Sequence, residues 1–307
     1  MSTQSIGMSQ GERAKWSIVQ EASAIKAGNV HPNASFEDMT YMHFLEAAEA
    51  IQKTIHECLD QSLGPMIWAC TASMLQTVRI NTSLGTVLLM VPLIQCEKSQ
   101  GDSFCSRLLR EDWDGLAIRD YLAGTTASDC ASIYQAIAAC NPGGLGTSQE
   151  LDVHTTSPAS ILDAMRVAAT WDDVALQYSN GYLEVARYAR HLVGWVSETT
   201  SWSDAIRRLQ LRILAERVDS HIARKWGRQM GEQVRNRAQK VLDSAEYGTP
   251  EFELAWQAFD SELRSGPPLT SRQGMNRQRM NRQGMNPGTT ADMIAAALYV
   301  VSSQCNV

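Results

Sequence analysis

Residues 84–96 (LGTVLLMVPLIQC) decide the fold. Apolar side chains occupy this stretch nearly all round rather than on one stripe. A helix that is apolar on every side is buried on every side, so other helices must surround it. Pro92 is expected to bend this helix or cut it short, because proline lacks an N–H and its ring clashes with the preceding turn.

The flanking sequence supplies the surrounding helices. Upstream, Gly11 to Ala27 carries Trp16, Val19, Ala22 and Ile25 at helical spacing, and a turn follows from Gly28 to Ser35. Asp38 to Asp60 reads as a long amphipathic helix with Met42, Leu45, Ala48 and Ile51 on one side. Gly64 and Pro65 open a helix that runs to about Val78. Downstream, Thr126 and Asp129 form a capping-box pattern for a helix ending near Cys140, which the loop Asn141 to Gly146 stops. Further helices are expected from Pro158 to Thr170, Asp172 to Val196, Ser203 to Ser244 with a break, Pro250 to Arg264, and Thr289 to Ser302. Few alternating, strand-like patterns compete. The expectation is an all-α, single-domain helical bundle of about ten helices spanning residues 1–307.

Composition limits the classes of function. The 307 residues are 44% hydrophobic and 20% charged, enough for a core and no sign of general disorder. A net charge of -6 argues against a general nucleic-acid binder, which needs a broad basic surface. The seven cysteines are odd in number, contain no CxxC pair and sit mostly in apolar helical patterns, which reads as reduced buried thiols. Met1 to Lys15 lacks the apolar core of a signal peptide. The apolar runs Thr86–Ile94 and Met293–Val301 fall far short of the roughly 20 residues that span a bilayer. A cytoplasmic protein with no membrane partner is expected, and a homodimer is left open.

Residues 272–286 contain RQGMN, RQRMN and RQGMN in tandem. Added loop length costs little, about 0.6 kcal/mol per doubling, so a duplication that lengthened a surface loop is the simplest reading, and a mobile loop is expected over residues 265–284. Residues 207–240 hold ten Lys or Arg against only Glu216, Asp219 and Glu232. Arg217, His221, Arg224, Arg228 and Arg235 fall on one helical stripe. A solvated face is the ordinary reading of such a stripe.

Several stretches together resemble the triphosphoribosyl-dephospho-coenzyme A synthase family. They are Lys26 to Pro32 (KAGNVHP) with Phe36-Glu37-Asp38-Met39 and Phe44; Asn81 to Gly85 (NTSLG); Asn141 to Gly146 with Asp152-Val153, then Asp172, Ala175 and Tyr178; Asp219 to Gly227 (DSHIARKWG); and Asn286 to Asp292 (NPGTTAD). Each is weak alone, but their order covers residues 15–302. The resemblance implies an all-helical enzyme that uses ATP as a substrate. The 2'-hydroxyl of dephospho-coenzyme A attacks C1' of the ATP ribose, adenine leaves, and the product is the precursor of a prosthetic group on acyl-carrier subunits of citrate lyase or malonate decarboxylase. Two motifs depart from the family pattern. Members resemble Asn-Thr-His-Lys-Gly where this chain has Asn81-Thr82-Ser83-Leu84-Gly85, and Lys-Pro-Gly where it has Lys26-Ala27-Gly28. This resembles a divergent branch, and it leaves open another cofactor precursor, for instance in a tetrahydromethanopterin-linked pathway, or a non-catalytic helical binding protein of the same fold.

Such a reaction passes through an oxocarbenium-like state, which calls for carboxylates and a base, while the polyphosphate calls for cations, helix N-termini or a carboxylate-held Mg2+. With the resemblance, Asp38, His31 and Asp172 are the candidate catalytic residues. Read alone, Asp38 and Asp172 are equally good helix caps and His31 a turn residue. Lys26, Gly28 and Asn29 form a glycine turn able to cradle phosphate, or a helix C-cap with Gly28 left-handed. Asn81 and Thr82 open the buried helix, where Arg79 offers charge in place of the missing His-Lys pair. Gly143 and Gly144 sit in a glycine-rich loop that is not a Walker A sequence. Arg224 and Lys225 are candidates for the triphosphate, and Thr289 and Thr290 for substrate binding. Asp152, Asp219 and Asp292 are the candidate Mg2+ ligands, although Thr289 with Asp292 also reads as a cap.

Overall fold

In a computed structural model of the chain, the apolar helix runs through Pro92 to Gln100. The proline neither ends nor shortens it, and the physical reason lies on a neighbouring helix. Pro92 has no N–H for the carbonyl of Leu88 four residues earlier. The buried hydroxyl of Tyr178 donates to that carbonyl oxygen instead, at 2.7 Å, so no buried acceptor is left unpaired.

The structure describes residues 7–141, 160–199, 201–266 and 284–304. Among them are fifteen helices and no strand. They are α1 (Gln10–Ser23), α2 (Tyr41–Cys58), α3 (Leu63–Val78), α4 (Leu84–Gln100), α5 (Phe104–Leu108), α6 (Leu116–Ala123), α7 (Ala127–Cys140) and α8 (Ile161–Ala168), followed by α9 (Asp173–Asn180), α10 (Leu183–Thr199), α11 (Trp202–Glu216), α12 (Ser220–Trp226), α13 (Arg228–Ser244), α14 (Pro250–Ser265) and α15 (Gly288–Ser302). The all-α expectation holds, but about ten helices was too few. Gly181 and Tyr182, both left-handed, split the helix expected from Asp172. The stretch from Ser203 breaks twice, at the extended Arg217 and at the left-handed Gly227. The short α5 and α6 lie where no long apolar period marks them. The repeat-containing loop lies almost wholly outside the described residues.

Two helices form the centre. In α4 every residue from Thr86 to Glu97 is buried. In α15 burial runs unbroken from Met293 to Ser302. A buried ion pair ties them to α1: Arg13 donates to Glu97 Oε1 at 2.6 Å, to Ser302 Oγ at 3.0 Å and to the Tyr299 carbonyl at 3.2 Å. The Tyr299 hydroxyl donates to the other Glu97 oxygen at 2.9 Å. The amphipathic α2 faces inward with Ala47, Ala48, Ile51 and Ile55, while Met42 is exposed. The Thr126–Asp129 capping box forms as expected, and Asp129 also accepts from Ser62 Oγ and the Gly64 amide, which pins α3 to α7.

A smaller apolar cluster is built by α11, α12, α13 and α14 together with Ala27 and Met285. α11 serves both cores, with Ile206, Leu209 and Ile213 turned to the larger one and Leu211 and Leu214 to the smaller. All six described cysteines are free thiols, and five are buried. No described helix is long and apolar enough to cross a membrane.

Candidate active site

The helix starts decide where the site lies. α4 and α15 both begin with an N-cap residue, Ser83 and Pro287, that makes no cap bond of its own, and without an acid in the first turn. The amides of such a turn are left to other partners. Both first turns line one cavity of about 530 Å3, into which α9 and α12 also project. Its walls include the sequence candidates Asp38, Asn29, Asn81, Thr82, Asp172, Arg224, Lys225, Thr289 and Asp292. Motifs from both ends of the chain thus meet in one place.

Asp292 is held at the start of α4. Its Oδ1 accepts from Thr86 Oγ1 at 2.6 Å. A side chain on Gly85 would overlap Asp292 Oδ2, so the glycine of the NTSLG motif makes room for this carboxylate. Burial lifts the Asp292 carboxyl from its ordinary 3.8 to about 7, Thr86 pulls the other way, and nearby Glu21 and Asp219 add to the rise. A carboxyl poised near neutrality is suited to taking or giving a proton. The cap pairing expected between Thr289 and Asp292 does not form. The helix begins at Gly288, and Thr289 Oγ1 accepts from Ser220 Oγ at 2.9 Å instead.

His221 faces the same cavity beside Gly288, where any side chain would overlap its Nδ1. Burial, with Arg224 and Lys225 close by, lowers its pKa to about 3, so the imidazole is neutral at working pH. Asp172 takes the cap role expected of it, its Oδ1 accepting from the Ala175 amide at 3.0 Å, and its Oδ2 is paired with Arg224, a contact not foreseen. Asp38 is exposed on the cavity wall and is not a helix cap, since α2 starts three residues later with Thr40 as its cap. Asn81 caps α4 through the Leu84 amide at 3.1 Å, and Thr82 Oγ1 accepts from Ser83 Oγ at 3.2 Å. Arg79 is exposed and is not part of the cavity wall.

Other candidates are placed elsewhere. Lys26 is fully buried, with its ammonium 3.2 Å from Glu21 Oε1 and donating to the Ala24 and Glu21 carbonyls. Burial pushes Glu21 up and Lys26 down, and their mutual attraction opposes both shifts. This lysine fastens the end of α1 and does not line the cavity. The Gly28 amide is taken by Asp260 Oδ1 at 2.8 Å. Both ends of the Asn29 amide are also engaged, by Gln210 at 2.7 Å and Asn286 at 2.6 Å. The turn is a clamp rather than an open phosphate cradle. His31 is buried behind it, accepts from the Asn33 amide at 3.3 Å, and is lowered to about 4 by burial and by Arg264 and Lys26.

Asp219 spends both carboxylate oxygens on the protein. Oδ1 caps α12 through the Ile222 amide at 2.9 Å, and Oδ2 accepts from the Thr290 amide and hydroxyl at 2.8 Å. It and Thr290 therefore join α12 to α15. Gly143, Gly144 and Asp152 lie outside the described residues. Among the described residues no group of three His, Cys, Asp or Glu is placed to hold a metal ion. Of the three expected Mg2+ ligands, Asp219 spends both oxygens on protein donors, Asp292 accepts through Oδ1 from Thr86, and Asp152 is not among the described residues.

Sequence reasoning missed Glu21, Thr86 and Trp171 as cavity residues, and read His221 only as part of a charged stripe. Adjacency was the available signal. Thr86 follows the NTSLG motif, Trp171 precedes Asp172, and His221 lies inside DSHIARKWG.

Fold and site together define an all-helical protein whose main cavity gathers a near-neutral carboxyl, a neutral imidazole and two cations at converging helix starts, a set suited to group transfer from a phosphorylated donor. The chain belongs to the ATP:dephospho-CoA triphosphoribosyl transferase (CitG) family, whose model matches residues 8–266. That match ends before the Asn286–Asp292 motif. A crystal structure from Archaeoglobus fulgidus, assigned as a triphosphoribosyl-dephospho-coA synthase, has the same fold, with a TM-score of 0.59 at 19% identity over 85% of this chain and 98% of that one. No curated protein sequence matches the chain.

Proposed function

We propose that the chain transfers the 5-triphosphoribosyl group of ATP to the 2'-hydroxyl of 3'-dephospho-coenzyme A, with release of adenine. The observation that carries this reading is Asp292, a carboxyl with a pKa of about 7 in a cavity whose walls also hold Arg224 and Lys225. In the reaction the C1'–N9 bond of ATP breaks, and adenine leaves with the electron pair. The acceptor oxygen forms the new bond to C1', and its proton passes to the Asp292 carboxylate. Negative charge around the cavity favours the oxocarbenium-like state. Arg224 and Lys225 on the cavity wall are the groups for phosphate. The apolar wall at Phe44, Tyr134, Met165 and the half-exposed Trp171 offers a surface for a base.

One observation favours a second reading in which the donor chemistry stays and the acceptor differs. Ser83 and Leu84, standing where relatives resemble His-Lys, are buried and bring no charge to the α4 start. A different cofactor precursor, such as one in a tetrahydromethanopterin-linked pathway, would then be the acceptor. One end-point assay separates the readings: purified protein with ATP, magnesium and dephospho-coenzyme A, products resolved by mass spectrometry. Adenine with the triphosphoribosylated adduct is expected. Adenine without the adduct moves the acceptor to another precursor. No adenine from folded protein overturns the proposed reaction and leaves a non-catalytic binding protein.

A further inference from the structure

A second cavity, of about 400 Å3, opens on the far side of the Asp172–Arg224 ion pair. It shares Trp171, Asp172 and Arg224 with the main cavity, so those three residues form a common wall. The character of the two spaces differs. Four arginines line the second one: Arg217, Arg224, Arg228 and Arg235. The carboxylates along it are already matched. Asp172 is paired with Arg224, Asp173 with Arg217 at 2.5 Å, and Glu216 with both Arg187 and Arg212, which lie outside the lining. Arg228 is held by Glu232 at 3.1 Å in a pair 75% and 43% exposed. An exposed pair of this kind contributes little and yields readily to a better partner. Arg235 bonds to Asn236 Oδ1 at 3.4 Å. Arg224 keeps its Nε buried with no hydrogen-bond partner although its Nη1 is spent on Asp172. An unmet guanidinium donor beside the exposed Arg228 and the half-buried Arg235 is a setting for an anion with several oxygens, which guanidinium forks bind in pairs.

We propose that this second cavity is a subsite for the diphosphate of the acceptor nucleotide, with Arg228 and Arg235 as its outer ligands. The identity of the ligand rests on the transferase reading above, in which two nucleotides must meet. The donor takes the main cavity, where Asp292 and His221 lie. The acceptor's diphosphate sits across the Trp171–Arg224 wall, and its hydroxyl end reaches over that wall toward Asp292. The arginine stripe along α12 and α13, whose ordinary reading is a solvated face, then has a ligand to bind.

The test uses the full-length protein with Arg228→Gln/Arg235→Gln, and Arg237→Gln as a control. Arg237 is an exposed arginine on the same helix, paired with Glu262 and outside both cavities. Inorganic pyrophosphate is titrated by calorimetry, and KM is measured separately for ATP and for dephospho-coenzyme A. Pyrophosphate affinity is expected to fall about ten-fold or more in the double variant, the scale of losing charge-assisted hydrogen bonds. KM for the acceptor should rise with KM for ATP unchanged, and the control should match the wild type. Three results would overturn the proposal: no pyrophosphate binding by the wild type, equal loss in the control, or a rise in KM for ATP alone, which would make the cavity a donor triphosphate site. The calorimetric readout needs no turnover, so a failed acceptor assignment and a failed subsite are told apart.

Discussion

Replacing Asp292 with Asn should make the protein more stable and inactive, and the gain in stability should depend on pH. In the folded chain the Asp292 carboxyl is lifted from 3.8 to about 7, chiefly by burial. The unfolded chain gives up this proton near pH 4, whereas the folded chain keeps it until about pH 7. Between those values the unfolded state binds fewer protons than the folded one, so stability falls as pH rises and is level again above pH 7. At 1.36 kcal/mol per pH unit the full displacement corresponds to roughly 4 kcal/mol, an upper limit for a group that can relax toward water. Asn keeps the shape and can still accept from Thr86 Oγ1, but it carries no titrating proton. Melting curves of wild type and Asp292→Asn, taken from pH 4.5 to 8.5, should therefore separate. The gap should be small at pH 4.5, widen up to pH 7 and stay constant beyond it. Each kcal/mol is worth about 2–4 °C in large single domains, so a gap of several degrees at pH 8 is expected. Adenine release by the variant should be lost at every pH. A gap that does not vary with pH, or a variant less stable than wild type at pH 8, would refute the claim that Asp292 is held near neutrality. Adenine release that survives the substitution would refute its role as the base.

Three further substitutions test other parts of the argument. Lys26→Met should destabilise the protein by about 3–5 kcal/mol, the cost of leaving the buried Glu21 without its partner, and adding Glu21→Gln should recover much of that loss; if Lys26→Met instead raises KM for ATP at unchanged melting temperature, Lys26 contacts phosphate after all. Tyr178→Phe should cost about 1–3 kcal/mol because the Leu88 carbonyl beside Pro92 loses its donor, and the loss should shrink in the Pro92→Ala background, where a backbone N–H returns; additive losses in denaturant unfolding would refute the coupling. Gly85→Ala should push the Asp292 carboxylate out of place and lower turnover by about 100-fold, the scale of a misplacement near 1 Å, and a variant with wild-type turnover would show that the carboxylate does not need this contact.

Secondary structure was legible where periodicity was long, and obscure where tertiary contacts overrode it. The all-round apolar stretch from Leu84 marked α4 as central, and it is. The effect of Pro92 could not be read locally, because the donor that compensates for it, Tyr178, lies on α9, 90 residues from the Leu88 carbonyl it serves. The break at Arg217 was equally hidden, since arginine does not signal a turn, whereas the break at Gly181–Tyr182 carries the glycine of a left-handed helix C-cap, a signal the long period of the flanking helices masked. For the site, the ordered motifs identified most of the walls of the cavity. They did not tell ligand-facing residues from residues that hold the walls in place. Lys26 and Asp219 look like functional residues in sequence because they are charged residues at turn–helix junctions. Their side chains instead satisfy buried groups: the ends of α1 in one case, and the starts of α12 and α15 in the other.

That distinction explains how a motif can surround a site without touching its ligand. The turn from Lys26 to Asn29 is fastened to α11 by Gln210, which pairs with both backbone groups of Ala27 at 2.9 and 2.8 Å. It is fastened to α14 by Asp260 and by Arg264, which donates to the Asn29 carbonyl at 2.8 Å. Asn29 in turn holds Asn286, just before α15. The start of α15, and with it Asp292, is thus positioned from one side by the turn and from the other by Asp219. Gln210 and Asp260 do not line the cavity, yet substituting either should loosen the helix that carries the candidate base. The five charged or amide side chains of this clamp, Asn29, Gln210, Asp260, Arg264 and Asn286, are buried or half-buried and bond within the protein, with Arg264 Nη1 left without a partner, an arrangement that is costly to loosen further and that makes the position of Asp292 a property of the whole fold rather than of its own helix.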